Sequence, residues 1–219
     1  MEIYLNDIGR RFNYEWIFRH LTFSFETNRA YAILGPNGSG KSTLLQVLSG
    51  SLSPSEGKIS YQLDGEDIGL DIVYRYIAIA APYLELIEEF TLEECLHFHF
   101  KLKELHPAVK LGELQDLLGL SVASGKEIRY YSSGMKQRLK LILACCSNTP
   151  ILLLDEPTSN LDAQGVSWYQ NLIDRFSKDR VVIIGSNQPH EYAFCSVNIS
   201  VPEYKLKTTR GVRGAGSIE

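Results

Sequence analysis

Residues 21–26 alternate: Leu21, Phe23 and Phe25 fall on one side and Thr22, Ser24 and Glu26 on the other. This is the two-residue period of a strand with one buried face. A second alternating run, Ile59, Tyr61 and Leu63, stops at Asp64-Gly65, a pair suited to a tight turn. The two runs predict antiparallel strands of a small β lobe. Between them the pattern changes to an apolar strand over 31–34, a glycine-rich turn GPNGSG, and a helix KSTLLQVLSG stopped at Gly50. From Thr91 the period becomes helical, with Leu92, Leu96 and Phe100, then Leu111, Leu114, Leu117 and Leu118. Pro107, Gly112, Gly119 and Gly125 punctuate that stretch, and a third helical run covers 133–146. Two short apolar runs without alternation, 151–154 and 181–184, flank a helical segment at 166–176. Such runs suit strands covered on both faces of a parallel sheet.

Composition narrows the class. With 219 residues, 44% of them hydrophobic, the chain can bury the core of one domain or of two closely packed lobes. A net charge of −4 argues against a basic surface for nucleic acid, so no nucleic-acid partner is expected. Cys95, Cys145, Cys146 and Cys195 form no CxxC pair and read as free thiols of a reducing compartment. The N-terminal MEIYLNDIGRRF lacks the apolar stretch of a secretory signal, and no apolar run reaches the ~20 residues of a bilayer crossing. A membrane role is therefore expected only through a partner.

The chemistry concentrates in two places. Gly35, Pro36, Asn37, Gly38, Ser39, Gly40, Lys41, Ser42 and Thr43 fit GxxxxGK[ST] and lie between a predicted strand and a predicted helix. Glycines allow successive backbone N–H groups to turn inward around phosphate oxygens, and the helix presents its positive end. Lys41 supplies a cation to the β- and γ-phosphates and Ser42 a hydroxyl to Mg²⁺. An ordinary glycine turn has no need of Lys-Ser-Thr in register. In ILLLDEP, Asp155 ends a buried strand, where it can hold Mg²⁺ through water. Glu156, one residue further, is the candidate to polarise an attacking water.

A third motif gives the family. Tyr131-Ser132-Ser133-Gly134-Met135-Lys136-Gln137-Arg138 resembles the signature LSGGQxQR, and over roughly residues 2–200 the chain looks like an ABC-transporter ATPase subunit. The resemblance implies an α/β fold with a P-loop NTPase core and mainly parallel sheet, an antiparallel β lobe, and an inserted α-helical lobe near 88–145. These would form one cassette domain over 1–206, followed by a flexible basic tail at 207–219. It implies hydrolysis of MgATP that drives transport through a separate integral membrane subunit. Two cassettes, a homodimer or one copy and a related cassette, would close head to tail over two ATP molecules. Ser132, Ser133 and Gly134, at a helix start, would then face the γ-phosphate held by the opposite cassette. Asp162, in Ser159-Asn-Leu-Asp162, resembles the D-loop that couples the two sites, and Phe12 stands where the family stacks an aromatic on adenine. The implied location is cytoplasmic, peripheral on the inner face of the cell membrane.

Two positions depart from the family. The glutamine that contacts Mg²⁺ falls on Pro82, which offers no side-chain donor or acceptor. The histidine that touches the γ-phosphate is replaced by Asn187, which still donates a hydrogen bond but carries no charge. His190, three residues later, is expected to stay outside the chemistry. These departures keep open a nucleotide-gated switch with weak hydrolysis. A soluble ABC ATPase acting in protein or cofactor assembly is a further alternative, and residues 83–90 would receive either kind of partner. His97 and His99, two apart on a predicted helix, point to different sides and do not read as metal ligands.

Overall fold

The chain opens as β1 (Glu2–Phe12), β2 (Glu15–Glu26) and β3 (Arg29–Leu34), enters helix α1 (Lys41–Leu48), and returns as β4 (Glu56–Leu63) and β5 (Glu66–Ile68). β6 (Ile77–Ala80) precedes three helices, α2 (Leu92–Leu102), α3 (Leu114–Leu118) and α4 (Ser133–Cys145). β7 (Ile151–Asp155), α5 (Ala163–Phe176), β8 (Val181–Ser186), α6 (Pro189–Tyr192) and β9 (Val197–Ser200) follow. This computed structural model describes residues 1–119 and 125–205, and the tail expected at 207–219 lies outside them.

Two sheets result. One is antiparallel, in the order β2-β1-β4-β5; the other is parallel, in the order β6-β7-β8-β3-β9. The alternating runs in β2 and β4 do not pair with each other, because β1 lies between them. β1 alternates poorly in sequence, since its pairing with β2 shifts register between Leu5 and Ile8 and again before Arg10 and Arg11. Each shift moves side chains to the other face and erases the two-residue period. At the end of β4, Asp64 (φ 52°) and Gly65 (φ 85°) form the turn expected from their sequence.

The parallel strands divide their side chains between two cores. Ile151, Leu153, Val181 and Ile183 pack with Leu44, Leu45, Ile3, Phe18 and Phe25, filling the space shared by α1 and the antiparallel sheet. Their neighbours Leu152, Leu154, Val182 and Ile184 pack instead with Leu139, Ile142, Tyr169, Ile173 and Phe176 of α4 and α5. Both faces are covered, which is why these strands read as unbroken apolar runs. The helical insertion closes on itself where 88–90 meets 128–129: Ile128 N donates to Phe90 O (2.8 Å) and Arg129 N to Glu88 O (2.9 Å). Inside it, Thr91 and Glu94 form a capping box at the start of α2.

At the edge where β7 and β8 begin, Arg180 is 3% exposed. Its guanidinium donates to Thr149 O and Oγ1, to Cys145 O and to Phe176 O (2.7–3.2 Å). The last two carbonyls lie at the C-terminal ends of α4 and α5, where helix dipoles offer negative charge to a cation.

Candidate nucleotide site

At the opposite edge, every parallel strand that carries site residues ends in a loop that faces the same region. β3 leads through 35–40 into α1, and the turn is possible because Gly35, Gly38 and Gly40 take positive φ angles (150°, 77° and 106°). A Cβ at Gly40 would come within 2.3 Å of Ile17 Cγ2, so a side chain there would both strain the backbone and collide with β2. Gly40 caps α1 with no side-chain oxygen, leaving the first-turn N–H groups turned into the loop without a side-chain acceptor. Lys41 is 4% exposed, and its Nζ crosses the loop to donate to Gly35 O (2.9 Å) and Pro36 O (3.4 Å). The buried Ser39 hydroxyl has no partner.

Asp155, at the end of β7, is buried beside this loop. Burial pushes its carboxyl up to about 6, and the neighbouring Ser42 hydroxyl opposes that rise by hydrogen bonding to the charged form. Its Oδ1 has no hydrogen-bond partner. An orphaned buried acceptor of this kind costs roughly 1–3 kcal/mol. The aspartate oxygen and the Ser42 hydroxyl are hard oxygen donors, the set that suits Mg²⁺.

Glu156 holds a left-handed backbone, φ 44°, which costs of order 1–3 kcal/mol for a non-glycine residue. The strain is held in place by Glu156 N on Gly185 O (2.8 Å) and Ser159 N on Glu156 O (3.0 Å). Gly185 has to be small, because a Cβ there would lie 2.8 Å from Leu45 Cδ1 and 3.0 Å from Asp155 Oδ1. A cleft of about 370 Å³ opens beside Glu156, lined also by Asn37, Ser159, Asn187 and His190. Asn187 Nδ2 donates across it to Asn37 Oδ1 (3.3 Å).

Sequence reasoning missed the group that braces this cleft. Glu191, 1% exposed, accepts from Thr158 N (2.7 Å), Thr158 Oγ1 and Ser186 Oγ, joining the loop after Glu156 to the end of β8. His190 Nε2 meets Thr158 Oγ1 at 3.0 Å, so the residue expected outside the chemistry lies in the cleft wall. The one sequence signal for this network was a carboxylate two residues after a proline at a helix start, which is common on surfaces.

The structure does not bring every candidate together. Ser132 caps α4 and accepts from Met135 N (3.2 Å), and Ser133 begins the helix. Gly134 lies where a Cβ would be 2.9 Å from Asn160 O, and Gln137 Nε2 donates to Pro157 O (2.8 Å). The helix start thus leans on the loop that follows Glu156, while no hydrogen bond among the described residues joins 132–134 to the phosphate loop. The Asp162 carboxylate caps α5 through Gly165 N (2.7 Å). Phe12, 45% exposed at the end of β1, has the Arg10 guanidinium 4.7 Å from its ring centre. His97 Nδ1 turns to Glu93 O and His99 Nε2 to Ser147 Oγ.

The chain after β6 approaches the same site. Ala80 pairs with Leu154, so the following residues run past Asp155. Pro82 is exposed, and Tyr83 beside it is 42% exposed. Burial, with the charge of Asp155, pushes the Tyr83 phenol up to about 12.

The family model for ABC transporters matches residues 18–159. The uncharacterized ABC transporter ATP-binding protein YxlF of Bacillus subtilis is 35% identical over 176 residues, 79% of this chain. The match spans only 58% of that relative's length. Among solved structures, the ATP-binding subunit of an ABC transporter superposes with a TM-score of 0.77 at 23% identity, covering 91% of this chain and 85% of its own. The ATP-binding cassette MJ0796, dimeric in a post-hydrolysis state with ADP and Pi, gives a TM-score of 0.75 at 20% identity, with coverages of 90% and 93%. At those identities the two structures speak for the fold.

Proposed function

Since the chain belongs to the ABC transporter ATP-binding family, we propose that it binds and hydrolyses MgATP as the nucleotide-binding subunit of a transporter whose membrane-spanning part is another polypeptide. The observation that carries this reading is the convergence of the Lys41 loop, the orphaned Asp155 oxygen and the strained Glu156 on one edge of the parallel sheet. In this reading the loop amides and Lys41 hold the phosphates, with Thr43 in the first turn of α1. Ser42 and Asp155 hold Mg²⁺, which neutralises charge on the β- and γ-phosphates when bound. Glu156 accepts the proton of the attacking water. The start of α4, with Ser132, Ser133 and Gly134, completes the site of a second copy. That arrangement accounts for the lack, among the described residues, of any hydrogen bond from 132–134 to the chain's own phosphate loop, and Asp162 then holds the helix behind the shared seam. Phe12 stacks on the adenine.

No described helix is long and apolar enough to cross a membrane. Partner contact therefore falls to the surface, where Tyr83, Leu84 and Ile87 expose 36–42% of their area on one segment. The test is extraction of the tagged full chain from its native membranes in mild detergent. A stoichiometric multi-spanning protein that is lost on Leu84→Asp and Ile87→Asp substitution is the expected result. A partner found only in the soluble fraction would replace the transport reading with the assembly one.

Asn187 sets the speed of the reaction in this reading. It is neutral, and its amide donates to Asn37. The transition state spreads negative charge over the γ-phosphoryl oxygens, where histidine would place a longer, chargeable donor. Asn187→His is expected to raise the single-turnover rate at saturating MgATP about tenfold, equivalent to roughly 1.4 kcal/mol. A variant no faster than the parent would mean that the site is already optimised around asparagine.

A further inference from the structure

A second cavity, of about 630 Å³, opens at the edge of the parallel sheet where β7 and β8 begin, opposite the phosphate loop. Its walls are tied by the backbone: Asn148 N donates to Glu104 O, His106 N to Cys146 O and Val181 N to Pro150 O, each at 2.8 Å. A preformed cleft of this size suits a small organic ligand. Four cationic side chains line it, Arg75, Lys103, Lys178 and Arg180. None of them forms an ion pair among the described residues. The two carboxylates of the lining, Glu104 and Asp179, are exposed and likewise join no ion pair.

The two inner cations rest on neutral oxygens alone. Lys103 Nζ donates to Tyr74 O and Ile77 O, which leaves one N–H of its three. Arg180 makes four bonds, to Thr149, Cys145 and Phe176, which leaves one N–H of its five. His106 Nδ1 accepts from Ala108 N (3.2 Å), so the neutral ring carries its proton on Nε2 and adds a third donor to the lining. Burial, with the Arg180 charge, holds the Lys103 ammonium down to about 8. Burial and the charges of Arg180 and Arg175 also lower His106, and no carboxylate offsets either effect. Positive charge withdrawn from water without a counter-charge is unfavourable, and an anion in the cavity relieves it.

The rest of the lining includes Leu63, Tyr76 and Leu102, a wall for a carbon body. Ile77, Ile151 and Val181 lie side by side across β6, β7 and β8. Lys103 is anchored on Ile77 O and Arg180 directly precedes Val181, so their anchor points stand two strand spacings apart, about 10 Å. A bare inorganic ion meets only one side of such a cleft. We propose that this cavity binds a small organic dianion, with two acidic groups on an apolar body. One group meets Lys103 and Arg75 on the β6 side, and the other meets Arg180 and Lys178 on the β8 side. The site lies at the opposite edge of the sheet from the nucleotide and stands whether or not the MgATP reading holds.

The probe is terephthalate, with benzoate as its single-charge counterpart, titrated by calorimetry into the full chain at low ionic strength. Each titration is repeated with saturating ADP, which occupies the phosphate loop. Terephthalate is expected to bind once per chain, about tenfold more tightly than benzoate, and equally well with ADP present. Lys103→Met keeps the stem, removes the charge and should weaken binding about tenfold. Lys178 is exposed, so Lys178→Ala leaves the fold intact; it should weaken binding about threefold and reduce its dependence on salt. A thermal melt shows whether Lys103→Met folds, and Lys178→Ala decides alone if it does not. Displacement of terephthalate by ADP would assign the binding to the phosphate loop and overturn the proposal. Absence of saturable binding at millimolar concentration, or an affinity unchanged by the substitutions, would overturn it equally.

Discussion

Glu156→Gln is expected to leave MgATP binding intact and to slow turnover by roughly 10²–10⁴-fold, the range for loss of a positioned general base. The substitution is nearly isosteric, and the backbone at 156 is held by Gly185 O and Ser159 N irrespective of the side chain. The left-handed geometry that aims the side chain into the cleft should therefore survive. What changes is chemical: an amide oxygen hydrogen-bonds the attacking water but does not keep its proton. With hydrolysis stalled, two copies should remain clamped over their nucleotides. Gel filtration in MgATP should show a dimer that the parent protein populates only briefly. Parental turnover in the variant would remove Glu156 from the mechanism, and a monomer in saturating MgATP would remove the two-copy site.

Lys41→Ala should reduce ATP affinity by about a hundredfold or more. A unit charge 4 Å from a phosphate oxygen contributes up to about 4 kcal/mol at the effective dielectric of a partly enclosed site. The lysine is already desolvated and poised, its ammonium resting on Gly35 O and Pro36 O. Binding phosphate thus needs no new burial of the cation, only an exchange of carbonyl acceptors for phosphate oxygens. Alanine removes the charge and also the strut across the loop, so the remaining grip comes from backbone N–H groups on a slacker turn. Calorimetric titration of the full chain measures the loss, with the thermal melt of the nucleotide-free protein as a control for folding. An unchanged affinity would place the nucleotide elsewhere on the molecule.

The elements legible in the sequence were those whose environment is uniform along their length. β7 and β8 are covered on both faces and read as apolar runs, and α1 follows a loop whose glycines are dictated by the turn. The loop, Asp155 and Glu156 were visible because they sit at strand ends with a fixed spacing. β1 was obscured by its bulges, and β6 and β9, four residues each, are too short to set up a period. Glu191 escaped for another reason: it reaches the site through contacts made after folding, with Thr158 and Ser186. Asp162 shows the converse, since a residue singled out by motif has its carboxylate already engaged as a helix cap.

Arg180 fastens the C-terminal end of α4 to the parallel sheet at the edge farthest from the phosphate loop. Mechanically that makes the helix a lever with a fixed fulcrum. Thirteen residues of helix form an arm of about 20 Å, and Ser132 caps its far end, where Gly134 and Gln137 lean on the loop after Glu156. A tilt of only about 10° around the guanidinium would sweep that tip through roughly 3–4 Å, about the width of a water layer, at a rise of ~1.5 Å per residue. The clamp is made of three carbonyl oxygens and the Thr149 hydroxyl, with no carboxylate among its bonded partners, so added salt has little to screen. The pivot should then be indifferent to ionic strength, whereas the Lys136–Glu88 ion pair near the other end of α4 is open to screening.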